Sequence, residues 1–305
     1  MKYRFIINRY SGRGLSRRQL YSMSDRFQRE LGQFEHNLPE SGEEAEHLTR
    51  KALSEGVDKI VAVGGDGTAN SVANGFFVND TPAHNGTALL VSNTGAGSDY
   101  YASVIRGKKV GNWMEVVGAH VQRKVDVGRI TFLSPDGHKT RHFLNMASVG
   151  MIADVVRTKE RLGGWIPSSM RYVAPTVKSL FTWPSSRLLI RTDTEKLEVD
   201  ALTISISKGK FAGKGMWFGL NVELDDGMFE VTIFENSGPV RMAMKLWRMY
   251  SDSYIGVEGI RKLWTSRLEI SAERPIPCEF DGELCGTTDI AVEVLPREIH
   301  VGFPA

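Results

Sequence analysis

Cysteine is almost absent: Cys278 and Cys285 are the only two in 305 residues. One pair cannot build a disulfide framework, and neither thiol has a His or Cys neighbour at zinc spacing. A reducing, intracellular setting is therefore the expectation. An excess of charge is also lacking. With 38 basic against 36 acidic side chains, the net charge of +2 is too small to suggest a nucleic acid partner. No apolar run approaches the length needed to cross a bilayer, and Met1–Ile7 is too short and polar for a signal peptide. Membrane contact is thus expected to be peripheral. The seven histidines are scattered without metal spacing, and there is no internal repeat or low-complexity linker. Missing motifs exclude more. Without G-x-x-x-x-G-K-[ST] after a strand there is no Walker loop, and without G-x-S-x-G no nucleophile elbow.

What is present centres on Ile60-Val61-Ala62-Val63-Gly64-Gly65-Asp66-Gly67-Thr68-Ala69-Asn70. Four apolar residues read as a short buried strand, three glycines break it, and Thr68 is placed to cap a helix running through Val72 and Phe76. Such a turn aims backbone N–H groups and the positive end of a helix dipole at one point, where phosphates bind. Asp66 would place a carboxylate where a phosphate-bound Mg²⁺ could sit. A tight turn without ligand is the alternative. Gly65–Asn70 nearly fits the dinucleotide fingerprint but ends in Asn, and Asp66 would repel a bare pyrophosphate. A Rossmann dehydrogenase is therefore disfavoured.

Phe5-Ile6-Ile7 reads as a strand running into the basic loop Asn8–Gly14. A helix with Leu20, Met23, Phe27 and Leu31 at helical spacing follows, then a strand at 34–38 and a helix at 44–54. Thr87 to Val91 is another strand, again followed by a glycine turn, Asn93–Asp99. Strand, loop and helix in alternation predict an α/β domain built on a doubly wound parallel sheet over residues 1–125. The three glycine loops would share the carboxyl edge of that sheet, where ligands bind. From 126 to 291 the pattern changes to short strands, at 127–133, 141–144, 187–192, 201–207, 228–234 and 267–271. Helices are expected at 151–161, 169–181 and 240–250. This predicts an antiparallel, β-sandwich-like second domain, with residues 292–305 returning to the first. Asp226-Gly227 and Asp281-Gly282, read alone, are turns. Aromatics beside basic residues at Trp165–Pro167, Phe181–Trp183 and Phe211–Phe218 suit an interfacial anchor or ordinary core. Met242, Met244, Leu246, Trp247 and Met249 could line an acyl cleft or the core.

Gly64-Gly65-Asp66-Gly67-Thr68-Ala69-Asn70 resembles the nucleotide loop of the diacylglycerol kinase catalytic family, which includes bacterial soluble lipid kinases and the ceramide and sphingosine kinases. Asn8-Arg9-Tyr10-Ser11-Gly12 is similar to that family's first loop. Val125–Gly128, Phe143–Gly150, Asp225–Met228 and Phe280–Glu283 resemble its later motifs, in the same order along almost the whole chain. The glycine loop alone would leave NAD kinases and phosphofructokinases open. The resemblance implies an ATP- and Mg²⁺-dependent lipid kinase that transfers the γ-phosphate to the hydroxyl of a diacylglycerol-like or ceramide/sphingoid lipid. The rivals are an NAD kinase-like or other small-molecule kinase and a catalytically impaired lipid-binding relative. It further implies that Asn8, Arg9, Ser11, Gly12, Gly64, Gly65, Asp66, Gly67, Thr68, Asn70, Thr94 and Gly95 hold the nucleotide. Asp66 would organise Mg²⁺, and Asp281 or Glu283 would take the proton from the lipid hydroxyl. Glu223, Asp226 and the Met228 carbonyl resemble a structural Mg²⁺ site, with Asp99 and Asp126 connecting it to the active site. The third loop departs from the family pattern: Ala96 offers no hydroxyl where many members carry Thr, and Ser98 replaces Asn. The expected partners are a lipid at the cytoplasmic membrane face, visited transiently, and no nucleic acid; a homodimer is left open.

Overall fold

The computed structural model describes residues 1–11, 27, 34–83, 86–95, 98–105, 117, 120–161, 170–251 and 256–305. Most of the expected 20–31 helix, together with Gly12 and Ala96, lies outside them. The chain divides into two compact units, Met1–Val127 with Pro296–Ala305, and Gly128–Leu295.

In the first unit, β1 (Tyr3–Ile7), β2 (Phe34–Asn37), β3 (Lys59–Val63) and β4 (Ala88–Val91) form a parallel sheet in the order β2-β1-β3-β4. Every residue of β1, β3 and β4 is buried. This is why they read as unbroken apolar runs: a parallel sheet is covered on both faces. Helix α1 (Gly42–Ser54) begins at Ser41, whose hydroxyl accepts the Glu44 N–H at 3.1 Å. Glu44 answers by accepting the Glu40 N–H at 2.7 Å, and its charge suits the positive helix end. Helix α2 spans Asp66–Asn74 and α3 spans Asp99–Val104. Thr68 does not cap α2. The cap is Gly65, without a side-chain bond, and Thr68 lies one turn inside.

The second unit is antiparallel. Its strands are β5 (His120–Ser134, entering from the first unit), β6 (Gly137–Phe143), β7 (Met146–Gly150), β8 (Ser186–Thr192), β9 (Lys196–Ser207), β10 (Phe229–Glu235), β11 (Ile260–Thr265), β12 (Arg267–Ala272), β13 (Pro277–Phe280) and β14 (Glu283–Pro304). They pair in the order β11-β10-β9-β8-β12-β14, with β7 joining β9 to β13 and β5 paired with β6. Ser134–Gly137 closes the β5–β6 hairpin, with Gly137 at φ 107°. One apolar core, from Ile130 and Phe143 through Ile204 and Val231 to Ile290, fills the space between these strands. A second, around Met151, Leu202, Phe234 and Met242, lies under the helices α4 (Met151–Arg161), α5 (Met170–Thr182) and α6 (Pro239–Arg248).

The carboxyl-terminal residues form one long strand rather than several short ones. β14 pairs with β12 through Ile290–Glu293, and its last turns pair parallel with β4 in the first unit, His300 opposite Ala88. Strands β11 and β13 are not anticipated by alternation. Ile260-Arg261-Lys262-Leu263-Trp264-Thr265 buries only Leu263 and Thr265, and β13 is four residues long.

Candidate functional site

Three loops leave the carboxyl ends of β1, β3 and β4, which are neighbours in the sheet, and hydrogen bonds stitch them together. The Asn8 side-chain amide donates to Thr68 Oγ1 at 3.3 Å, while its carbonyl oxygen accepts the Tyr10 N–H at 3.0 Å. The Gly64 N–H donates to Ser92 Oγ at 2.9 Å, and the Ser92 and Thr94 hydroxyls donate to the Gly64 carbonyl at 3.2 and 3.3 Å. The Asp66 carboxylate accepts the N–H groups of Asp99 and Tyr100 at 3.0 and 2.9 Å. Burial pushes the Asp66 carboxyl above its ordinary range, and the backbone donors at Tyr100 and Asp99 oppose that shift. Glycine is required where the loops touch. A Cβ on Gly95 would lie 2.2 Å from the Gly65 Cα, and one on Gly64 would lie 2.2 Å from Thr68 Oγ1.

The result is a helix N-terminus in which Gly65, Asp66 and Gly67 are partly exposed just after a buried strand. Because Gly65 brings no capping side chain, the first-turn N–H groups of α2 are available to an anion. This donor set fits a polyphosphate. Residues expected there divide into groups. Asn8, Thr68, Thr94 and Gly95 build the loops, and Ser11 closes the first one by donating its N–H to the Asn8 carbonyl at 3.2 Å. Arg9 is exposed, its guanidinium 5.0 Å from the Tyr10 ring centre and donating to that phenol at 2.8 Å. Asn70 turns inward. It is fully buried in α2 and accepts from Asn74 at 3.0 Å, a bond that ties one turn of the helix to the next. Asp66, expected to organise Mg²⁺, turns its carboxylate oxygens to the N–H groups at the start of α3. Ser92 went unremarked in the sequence, although a hydroxyl directly after an apolar strand is its one signal.

In the second unit, Asp281 sits at the β13–β14 turn with φ 46°. Its carboxylate accepts three consecutive backbone N–H groups, from Leu144, Asn145 and Met146, at 2.8, 2.9 and 3.0 Å. Its own N–H donates to the Met146 carbonyl at 2.7 Å. Glu283 opens β14, opposite Phe280 and partly exposed. Beside them is Glu279, which the sequence did not single out. It is buried, and accepts from the Ser148 hydroxyl at 2.6 Å and the Gly282 N–H at 2.9 Å. Burial pushes the Glu279 carboxyl from 4.5 up to about 7, against the Ser148 and Gly282 donors and with the Asp281 charge adding to the rise.

That rise has a sign for stability. Below about pH 4.5 Glu279 carries a proton in both states. Between about 4.5 and about 7 the unfolded chain releases a proton that the folded chain keeps, so native stability falls as pH rises through this window. The shift corresponds to a loss on the order of 3 kcal/mol. Glu279→Gln can keep both bonds, its carbonyl facing Gly282 and its amide facing a reversed Ser148 hydroxyl. Denaturant titrations from pH 4.5 to 8 should therefore show the variant more stable than wild type above pH 7, with that slope reduced. Equal slopes in the two proteins would refute the assignment.

The residues proposed for a structural Mg²⁺ do not fit one. Lys208, with no exposure, places its ammonium 2.5 Å from Asp226 Oδ1 and 3.0 Å from the Met228 carbonyl oxygen. Lys210 pairs with Glu223 at 3.0 Å. Asp226 also accepts the N–H groups of Glu223 and Met228 at 3.1 and 3.0 Å, around the tight turn at Gly227. A buried ammonium thus holds the oxygens that a divalent ion would need, and its charge would repel that ion. In the first unit, Asp126 is buried and accepts the Arg297 N–H at 2.8 Å, and Asp99 is buried at the start of α3. Among the described residues no cluster of three or more His, Cys, Asp or Glu side chains could hold a metal.

A parallel α/β unit with a glycine-rich helix start at its carboxyl edge, followed by an antiparallel unit with an acidic turn, is the architecture shared by NAD kinase and diacylglycerol kinase folds. The diacylglycerol kinase catalytic domain model matches residues 2–130, and the YegS C-terminal NAD kinase beta sandwich-like domain model matches residues 145–303. The chain belongs to the diacylglycerol kinase catalytic-domain family. Lipid kinase YegS of Escherichia coli (strain K12) is 25% identical over 269 residues, covering 87% of this chain and 84% of that protein. A diacylglycerol kinase structure from Bacillus anthracis str. Sterne matches with TM-score 0.69 at 18% identity, over 98% of this chain and 96% of that one. Yeast NADH kinase complexed with NADH matches with TM-score 0.53 at 14% identity, over 100% of this chain and 83% of that one.

Proposed function

We propose that this chain is an ATP- and Mg²⁺-dependent lipid kinase that phosphorylates the hydroxyl of a diacylglycerol-like or ceramide/sphingoid lipid. The observation that carries this reading is the convergence of three loops at the uncapped start of α2, a polyphosphate cradle, in a chain of this family. Gly65, Gly67 and Thr68 present backbone donors to the phosphates, and Asn8, Ser92 and Gly95 keep those donors in place. ATP would supply the γ-phosphoryl group, and Mg²⁺ entering with it would spread the charge that develops there. The lipid oxygen forms the new bond to phosphorus as the bond to the β–γ bridging oxygen breaks. The hydroxyl proton passes to a carboxylate of the Asp281-Gly282-Glu283 turn, and ADP leaves. Positioning and charge neutralisation provide most of the rate. The protein works at the cytoplasmic face of a membrane and draws its acceptor from there.

The test is mass spectrometry of lipid extracts incubated with the protein and γ-labelled ATP. A labelled glycerolipid or sphingolipid supports the proposal and names the acceptor. Label on NAD, or ATP binding without any labelled lipid, replaces it with one of its rivals. The two carboxylates are separable. Neutralising the proton acceptor should lower kcat by about 10²–10⁴-fold at unchanged ATP affinity. Asp281→Asn also turns an amide N–H₂ toward the backbone donors of residues 144–146, so Tm should fall with it, whereas Glu283→Gln should leave Tm in place. Full kcat in both variants would remove this turn from the chemistry.

A further inference from the structure

Helices α5 and α6 pack against each other, and each turns an apolar stripe outward. On α5 the stripe is Val173, Val177 and Phe181, exposed by 52, 50 and 69%. On α6 it is Val240, Met244 and Trp247, exposed by 67, 56 and 79%. The spacings of four and four, and of four and three, keep each set on one helical face. The core of α6 is supplied by a different face, through the buried Met242 and by Met249 just beyond the helix. One exposed valine or tryptophan would be ordinary. Six on two helices that pack together exceed scattered exposure, and such a concentration marks an interaction surface.

Charge identifies what covers it. Neither α5 nor α6 contains a single Asp or Glu, and Lys178, Arg241 and Arg248 are exposed beside the stripes. An apolar ridge with tryptophan and phenylalanine, bordered by cations and with no acid on either helix, complements anionic lipid headgroups above an acyl layer. Among the described residues no helix is long and apolar enough to cross a membrane, so the ridge would lie in the interface plane. We propose that the α5–α6 ridge docks the protein on an anionic bilayer and seats Phe181, Met244 and Trp247 at headgroup depth. The proposal rests on the lipid-kinase reading, because an acceptor held in a bilayer must be reached there.

The experiment is sedimentation of the full chain with phosphatidylcholine vesicles containing about a third phosphatidylglycerol, together with quenching of tryptophan emission by brominated acyl chains. The variant carries Phe181→Ser, Met244→Ser and Trp247→Ser together. Wild type should co-sediment, bind pure phosphatidylcholine more weakly, and lose binding as salt shortens the Debye length. The variant should bind at least tenfold less while keeping its Tm and its activity on lipid dispersed in detergent. Trp247→Phe should remove much of the quenching. A variant that sediments like wild type would overturn the docking surface. So would conversion of a dimer to a monomer by the same substitutions, since the ridge would then be a contact between two copies. Vesicle binding without any kinase activity would instead overturn the enzymatic reading and leave the docking surface standing.

Discussion

Asp66→Ala is expected to reduce kcat/KM for ATP on the order of 10²-fold or more. Position 66 lies at the surface of the glycine loop, yet its carboxylate is what ties that loop to the first turn of α3 through Asp99 and Tyr100. Two hydrogen bonds to an ionised acceptor are worth about 1.5–3 kcal/mol each. Part of this is offset by the burial that raises the Asp66 carboxyl above its ordinary range. A net loss near 3 kcal/mol of loop stabilisation corresponds to about two decades in a binding constant. Asp66→Asn should fall between, because its amide oxygen can accept one N–H while its nitrogen faces the other donor. Gly95→Val should weaken ATP binding by a separate route, since a Cβ there meets Gly65 backbone rather than a side chain that can yield. Isothermal titration with ATP and Mg²⁺ reads all three. Undiminished affinity in Asp66→Ala would show that the three loops do not act as one phosphate site.

The second large effect belongs to Lys208. Lys208→Met should lower stability by about 2–3 kcal/mol. Breaking one side of a buried ion pair costs about 3–5 kcal/mol, and Asp226, about a third exposed, recovers part of this from solvent. Tm should fall by roughly 5–10 °C for a unit of this size. The same geometry predicts how the protein answers divalent ions. In the absence of nucleotide, Mg²⁺ or a chelator should leave the wild-type Tm unchanged, because Lys208 already neutralises Asp226 and the Met228 carbonyl. Lys208→Ser opens an acidic hollow at that turn, and millimolar Mg²⁺ or Ca²⁺ should raise its Tm. A wild-type Tm that drops on chelation would overturn the reading of Lys208 as the internal cation.

These residues also separate what could be read along the chain from what could not. The glycine loop was legible because a buried β-branched run, three glycines and a helix start are consecutive in sequence and depend on local backbone geometry. The strand–helix alternation of the first unit and the change to short antiparallel strands after it were legible for the same reason. The inward turn of Asn70 was not, since the rotation of α2 about its axis is decided by what packs on it. Strand β11 was missed because its alternation is blurred by Arg261, Lys262 and Trp264, and only its pairing with β10 makes it a strand.

Local pattern therefore determined the family, the parallel and antiparallel halves and the position of the glycine turn at the start of α2, all of which depend on residues close in sequence. Tertiary structure decided which charges meet: Lys208 with Asp226, Asp281 with the backbone of residues 144–146, Glu279 with Ser148. Each of these pairs residues that are 18 to 137 positions apart, and burial sets the strength of each by removing the water that would otherwise screen them. It also decided which apolar face of α6 enters the core, since Met242 and Met244 are equally hydrophobic in sequence and only packing buries the first and exposes the second.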